Sequence, residues 1–184
     1  MAYIKQIDHS EASGALAEFY EELVELAGSV PNIVKLSSIK LPAMKAAQDL
    51  YQSVLYHESG LTMIQKEMVA TLVSTLNGCG YCADHHGTAL EDQAEQPGLA
   101  ARVSSDYRNL DLDGRTRRIL LFSEKLTEDP AAMGPEDVEK LRAEGMSDEE
   151  VLDLVQLVAY FNYTNRVATA LGVDPEQVGD QPST

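Results

Sequence analysis

Apolar residues recur along most of this chain at spacings of three, four and seven, the period of one face of a helix. Residues 10–27 carry Leu16, Phe19, Tyr20, Leu23 and Leu26 in that register, with Ser10 as a candidate cap and Gly28 as a stop. Residues 31–38 predict a short turn or helix. A longer helix follows over 41–58, with Pro42 in its first turn and Gly60 past its end. Over 62–77 the apolar set is Met63, Ile64, Met68, Val69, Leu72, Val73 and Leu76, and Thr62 with Gln65 makes a capping-box start. Residues 97–112 are polar and punctuated, which predicts one or two short surface helices. Residues 114–127 predict a helix with Ile119, Leu120, Phe122 and Leu126 inward, and a short helix from Gly134-Pro135 ends near Arg142. The longest run is 147–171, capped by Ser147 with Glu150 and with Asn162 as a place to kink. The pattern predicts an all-α fold in one domain over 1–173, with helices in 10–58, a pair over 62–94 and further helices in 97–171. A polar, acidic tail over 174–184 is expected to be loosely ordered.

The run at 62–77 cannot continue unbroken if its neighbours are to cooperate. Glu67 and Cys79 would then lie roughly 18 Å apart along the axis, at about 1.5 Å per residue. Asn77-Gly78 supplies a break, since both residues tolerate the left-handed conformation that ends helices. A second helix starting near Cys79 then runs back antiparallel to the first. The heights of Glu67 and His86 differ by about three residues, roughly 4.5 Å, so acid and imidazole can face each other. Cys79, Cys82 and His86 fall at i, i+3 and i+7, on one face. A Cys-x-x-Cys in a first helical turn brings two thiols within disulfide reach, and the helix dipole favours a thiolate there. His86, four residues beyond Cys82, serves as base, and Glu67 orients it. Position alone leaves open which cysteine attacks, because in many CxxC helices the first is the exposed nucleophile.

An internal echo accompanies this pair. Gly60-Leu61-Thr62-x-x-Gln65 parallels Gly145-Met146-Ser147-x-x-Glu150 at an offset of 85 residues, and Val69, Leu72 and Val73 recur as Leu154, Leu157 and Val158. A duplication would put Leu152, Thr164, Val167 and Leu171 where Glu67, Cys79, Cys82 and His86 stand, keeping the packing and losing the chemistry.

Composition narrows the function classes. Thirty acidic against fourteen basic residues give a net charge of −16, which disfavours nucleic acid and anionic membrane surfaces as partners. The start lacks signal-peptide architecture and no run of about 18 apolar residues exists to span a membrane. Two cysteines in CxxC spacing in a soluble chain read as redox or metal chemistry in a reducing cytoplasm. No cofactor-binding glycine motif or phosphate loop appears, so no cofactor is expected. Zinc on Cys79, Cys82, His86 and His85 is a rival reading, but there is no second cysteine cluster to complete a structural site. Haem attachment needs His directly after the second Cys, and that residue is Ala83.

The spacing Glu67, Cys79, Cys82, His86 matches the E-x11-C-x2-C-x3-H motif of the alkylhydroperoxidase D-like, carboxymuconolactone decarboxylase-like superfamily, and the chain resembles its uncharacterised peroxidase-related branch. The likeness extends to Val30-Pro31-Asn32-Ile33, Gly60-Leu61-Thr62 and the stretch from Phe161 to Ala168. It implies an all-helical homo-oligomer that reduces hydroperoxides, with Cys82 attacking, Cys79 resolving, Glu67 and His86 relaying protons, and a dithiol or protein reductant restoring the pair. The cysteine pair argues against the decarboxylase chemistry of other members. A thiol-disulfide oxidoreductase, a carboxymuconolactone decarboxylase-like enzyme and a metal-binding or structural helical oligomer remain the rivals. Tyr81, between the cysteines, either donates a hydrogen bond to substrate or packs. His85 points about 100° from His86 around the helix, toward the surface or an interface. Val30, Ile33, Leu50, Val54 and Phe161 either line an access channel or belong to the core.

Overall fold

A computed structural model describes residues 2–176. Its helices are α1 (Ala15–Ala27), α2 (Asn32–Lys35), α3 (Leu41–Tyr51), α4 (Met63–Leu76), α5 (Gly80–Ala94), α6 (Leu99–Asp106), α7 (Gly114–Glu128), α8 (Pro135–Ala143) and α9 (Asp148–Leu171). The described residues contain no strand, and the fold is all-α. None of their helices is long and apolar enough to cross a membrane. The described residues form two compact units, one of residues 2–50 with 167–176 and the other of 51–166.

The first unit is built on α1. Its core is Leu16, Phe19, Tyr20, Leu23, Val30 and Met44, and the Tyr20 hydroxyl donates to the Ile7 carbonyl at 2.9 Å. The helix starts later than its pattern predicts. Ser10 lies in a separate 3-10 turn, His9–Glu11, and Gly14, with φ +56, precedes the first helical residue. Leu26 shares the apolar register but falls in the last turn, outside that core, and is 64% exposed. The expected loose tail begins in a defined place, because Asn32 donates from its backbone to the Glu176 carboxylate and from its amide to the Asp174 and Pro175 carbonyls. Residues 177–184 of that expected tail lie outside the described residues.

The second unit is organised around α4. Residues 65–74 are all buried, so the helix is enclosed on every side rather than along one apolar stripe. Its apolar residues join Leu90, Val103, Ile119, Leu120, Leu154 and Leu157 in a single core. Enclosure forces each buried polar side chain to find a partner. Gln65 closes the expected capping box with Thr62 and donates to the Thr116 hydroxyl at 2.9 Å. Lys66 donates to the Leu55 and His57 carbonyls, both at 2.9 Å, and burial lowers its pKa. Those carbonyls belong to the end of a π-helical segment, Gln52–Tyr56. This segment replaces the last turns of the α-helix expected over 41–58. Its wider winding leaves carbonyls that the Lys66 ammonium satisfies.

Ser147 and Glu150 form the second expected capping box, exchanging bonds of 2.7 and 3.2 Å. Arg115 ties the two helix starts together, donating to the Gly60 carbonyl at 3.1 Å and to Glu150 at 2.6 Å. Beyond the caps the parallel holds for packing, since Val69, Leu72 and Val73 and their counterparts Leu154, Leu157 and Val158 are all buried, and it ends at the turn. The first copy turns at Asn77-Gly78, whereas α9 continues past Asn162, and Leu152, in the place of Glu67, is 55% exposed.

Lys66→Met removes the donor from two carbonyls and is expected to destabilise the protein by about 1–3 kcal/mol. The urea midpoint at neutral pH measures it, and an unchanged midpoint would remove Lys66 from this role.

Candidate active site

The turn between α4 and α5 fixes the site. Asn77 caps α4, Gly78 takes φ +67, and the Gly78 and Cys79 amides donate back to the Thr75 and Ser74 carbonyls at 3.0 and 2.9 Å. This pairing is the Schellman arrangement, and its left-handed position suits glycine. The expected break at Asn77-Gly78 therefore has a defined geometry. Cys79 is the N-cap of α5 rather than a residue of its first turn, and Cys82 is the third helical residue.

Folding back across this turn brings Glu67 and His86 into contact. The carboxylate lies 2.7 Å from His86 Nδ1, and the two residues are only 3% and 5% exposed. An ionised carboxylate only accepts, so it assigns the hydrogen to Nδ1 and leaves Nε2 as the basic nitrogen. Aromatic rings hold the imidazole in place. Phe161 meets it edge-on at 4.6 Å and Tyr51 stands at 6.4 Å, while Tyr160 packs on Tyr51 at 5.7 Å. His85 lies edge-on to His86 at 4.9 Å, and partial burial of its ring, followed by its electrostatic interaction with His86, lowers its pKa.

Cys82, one turn before His86, and Cys79, two turns before it, are not joined in a disulfide, and their sulfurs lie 3.0 Å apart. Both are buried. The helix start was expected to favour a thiolate, but the Cys82 thiol is pushed well above the ordinary cysteine range. Its hydrogen bond with Cys79 contributes most, burial next, and a hydrogen bond from Asn165 opposes them. The hydrogen between the sulfurs can lie on either one. While Cys82 holds it, the thiol resists ionisation; when Cys79 donates it instead, the Cys82 sulfur gains a donor. The upward direction dominates, because two buried sulfurs cannot both be charged at this separation.

Among the described residues no group of three or more His, Cys, Asp and Glu is arranged to hold a metal ion. Tyr81 is half-buried on the second residue of α5. Of the apolar candidates, Phe161 lies against the imidazole and Val54 in the core of this unit, while Val30, Ile33 and Leu50 belong to the other unit. Tyr51, Tyr160 and Asn165 are site residues that the sequence reading missed. Asn165 falls within the Phe161–Ala168 stretch that carried the resemblance, but helical spacing gives no sign that an asparagine turns inward.

A model of the carboxymuconolactone decarboxylase family matches residues 42–102, which include Glu67, Cys79, Cys82 and His86. An uncharacterised peroxidase-related protein from Silicibacter sp. TM1040 is 30% identical, with a TM-score of 0.84 over 95% of this chain and 92% of its own. A second peroxidase-related protein, with an alkylhydroperoxidase AhpD core, comes from Ralstonia eutropha JMP134. It is 25% identical, with a TM-score of 0.86 over 99% of this chain and 98% of its own. The debrominase Bmp8 is 19% identical with a TM-score of 0.77 over 93% of this chain and 90% of its own, a likeness of fold alone.

The raised thiol has a direct readout. Iodoacetamide labelling of Cys82, followed by peptide mass, is expected to keep rising steeply above about pH 10, where a thiol with the ordinary pKa of about 8.5 has levelled off. A plateau below pH 8 would show that the thiolate is favoured after all.

Proposed function

Because the chain belongs to the alkylhydroperoxidase D-like, carboxymuconolactone decarboxylase-like superfamily, we propose that it is a thiol-dependent peroxidase that reduces hydroperoxides through Cys82 and Cys79. The observation that carries this reading is the buried Glu67–His86 pair, 2.7 Å apart, formed between α4 and the helix α5 that also bears Cys82 and is capped by Cys79. A thiol with a raised pKa needs a base at the moment of reaction, and His86 is placed one turn away on α5.

His86 Nε2 takes the Cys82 proton, and the Glu67 carboxylate stabilises the resulting imidazolium. The Cys82 thiolate attacks the terminal oxygen of the hydroperoxide. An S–O bond forms, the O–O bond breaks, and Cys82 becomes a sulfenic acid. The departing alkoxide takes the proton held by His86 and leaves as the alcohol. Cys79 then attacks the sulfenic sulfur, forming the disulfide and releasing water. An external dithiol, free or on a protein, reduces the disulfide by exchange and is itself oxidised. The reading places this cycle in a reducing compartment such as the cytoplasm and, as the family resemblance implies, in a homo-oligomer. Tyr81 is retained as a candidate donor to the bound substrate.

One equivalent of an organic hydroperoxide should convert the wild type to a species lighter by about 2 Da, with Cys79 and Cys82 joined in one peptide pair. In Cys79→Ser the oxidation should be trapped on Cys82. Exchange with protein thiols and no peroxide consumption would instead identify a thiol-disulfide oxidoreductase, and lactone turnover surviving Cys82→Ser a decarboxylase. His86→Ala is expected to slow Cys82 oxidation by roughly 10²–10⁴-fold in stopped-flow measurements. A rate within about twofold of wild type would exclude His86 as the base.

A further inference from the structure

Three asparagines connect α9 to the turn that carries the thiols, and each of their amide hydrogens has an assigned place. Asn162 Nδ2 donates to the Val158 carbonyl and to Thr127 Oγ1, both at 3.0 Å. Asn77 Nδ2 donates to Asn162 Oδ1 at 3.2 Å and to Asn165 Oδ1 at 3.1 Å. Asn165 Nδ2 donates to Ser74 Oγ at 3.0 Å, and the amide also hydrogen-bonds to Cys82. Asn165 is fully buried, as is Ser74.

An isolated amide could be flipped, exchanging its donor and acceptor ends. This chain cannot, because both anchors at its outer end have a single role. The Val158 carbonyl only accepts, which fixes the Asn162 nitrogen. The Arg166 guanidinium only donates, and its Nη1 lies 2.6 Å from Asn162 Oδ1, which fixes the oxygen. Asn162 Oδ1 therefore requires a donor from Asn77, and Asn77 Nδ2 in turn requires the oxygen of Asn165. The Asn165 nitrogen is left donating to Ser74, with its second hydrogen available to the Cys82 sulfur, whose ionisation this amide favours.

We propose that Asn165 is a catalytic residue whose oriented N–H stabilises negative charge on the Cys82 sulfur, and that Asn77 and Asn162 are positioning residues that hold it there. Its part in hydroperoxide reduction rests on the reading above. Its effect on the sulfur does not, since a donor to a thiolate acts on any reaction of that thiolate. Asn165 opposes the two influences that hold the thiol protonated, its neighbour Cys79 and burial. The other titratable groups around the sulfur are His86 on α5, the Glu67 carboxylate behind it on α4, and the Tyr160 hydroxyl on α9, which interacts electrostatically with Cys82.

The test reads Cys82 alkylation by iodoacetamide, by peptide mass at pH 7–9, in the full chain with thermal melts run alongside. Asn165→Asp keeps the shape and removes the donor. It should shift the Cys82 profile to higher pH and lower the rate at pH 7 by about tenfold or more, the size of a hydrogen bond to a charged group. Asn77→Asp touches no sulfur, yet it presents Asn165 with an acceptor in place of a donor and so turns the amide round. A comparable loss is expected there, and this variant carries the test if Asn165→Asp does not fold. An unshifted profile in folded Asn165→Asp or Asn77→Asp overturns the proposal. Alkylation shifts without any hydroperoxide consumption in the wild type would uphold the donor role and reject the peroxidase reading.

Discussion

A carboxylate and an imidazole, both cut off from water and 2.7 Å apart, impose the strongest constraint on this structure. Neither group could be enclosed alone without a large loss of hydration. Their pairing requires that α5 return along α4, which in turn requires a turn as tight as the Asn77-Gly78-Cys79 Schellman closure. Once that turn exists, the thiols have no freedom of placement: one caps the returning helix and the other sits in its first turn. The surrounding rings of Phe161 and Tyr51 fix the plane of the imidazole, and the enclosed α4 fixes the acid. The order of dependence runs from one buried carboxylate–imidazole hydrogen bond to a turn and then to a pair of sulfurs.

Enclosure also explains why the thiol chemistry proposed here calls for a base and donors. At an exposed helix start, the dipole would lower a thiol's pKa. Here the sulfurs are buried and adjacent, and proximity with desolvation outweighs the dipole. The protein answers with groups that act only within reach of the sulfur: an imidazole on the same helix, and an amide from α9. Lys66, the residue before Glu67, shows the same logic in a structural setting, since its ammonium is enclosed only because two carbonyls wait for it.

What could be read from the sequence was what local chain physics determines. The apolar period, the Thr62–Gln65 and Ser147–Glu150 boxes and the break at Gly78 each involve residues within a turn or two of one another. The facing of Glu67 and His86 followed from counting residues on either side of the break. Features set by distant segments were not legible. The π-helical winding at 52–56 is matched to Lys66, eleven residues from Leu55. The asparagine chain joins residues 85 and 88 positions apart, and polar side chains on an amphipathic helix ordinarily read as solvent-facing. The upward push on Cys82 comes from burial that no spacing rule reports. The start of α1 was misplaced because Ser10 has the chemistry of a cap, while the chain instead enters the helix through Gly14.

The site is assembled from two sources that differ in how far apart they lie along the chain. Acid, imidazole and both sulfurs fall within twenty consecutive positions, so a hairpin of two helices is enough to bring them together, and such local contacts form early. The amide that faces the sulfur comes from a segment more than eighty positions later. During synthesis, therefore, the residues of this hairpin are all made before the last long helix. Completion of the polypeptide supplies the hydrogen-bond donor, and so the electrostatic setting of the sulfur reports whether the C-terminal segment has docked.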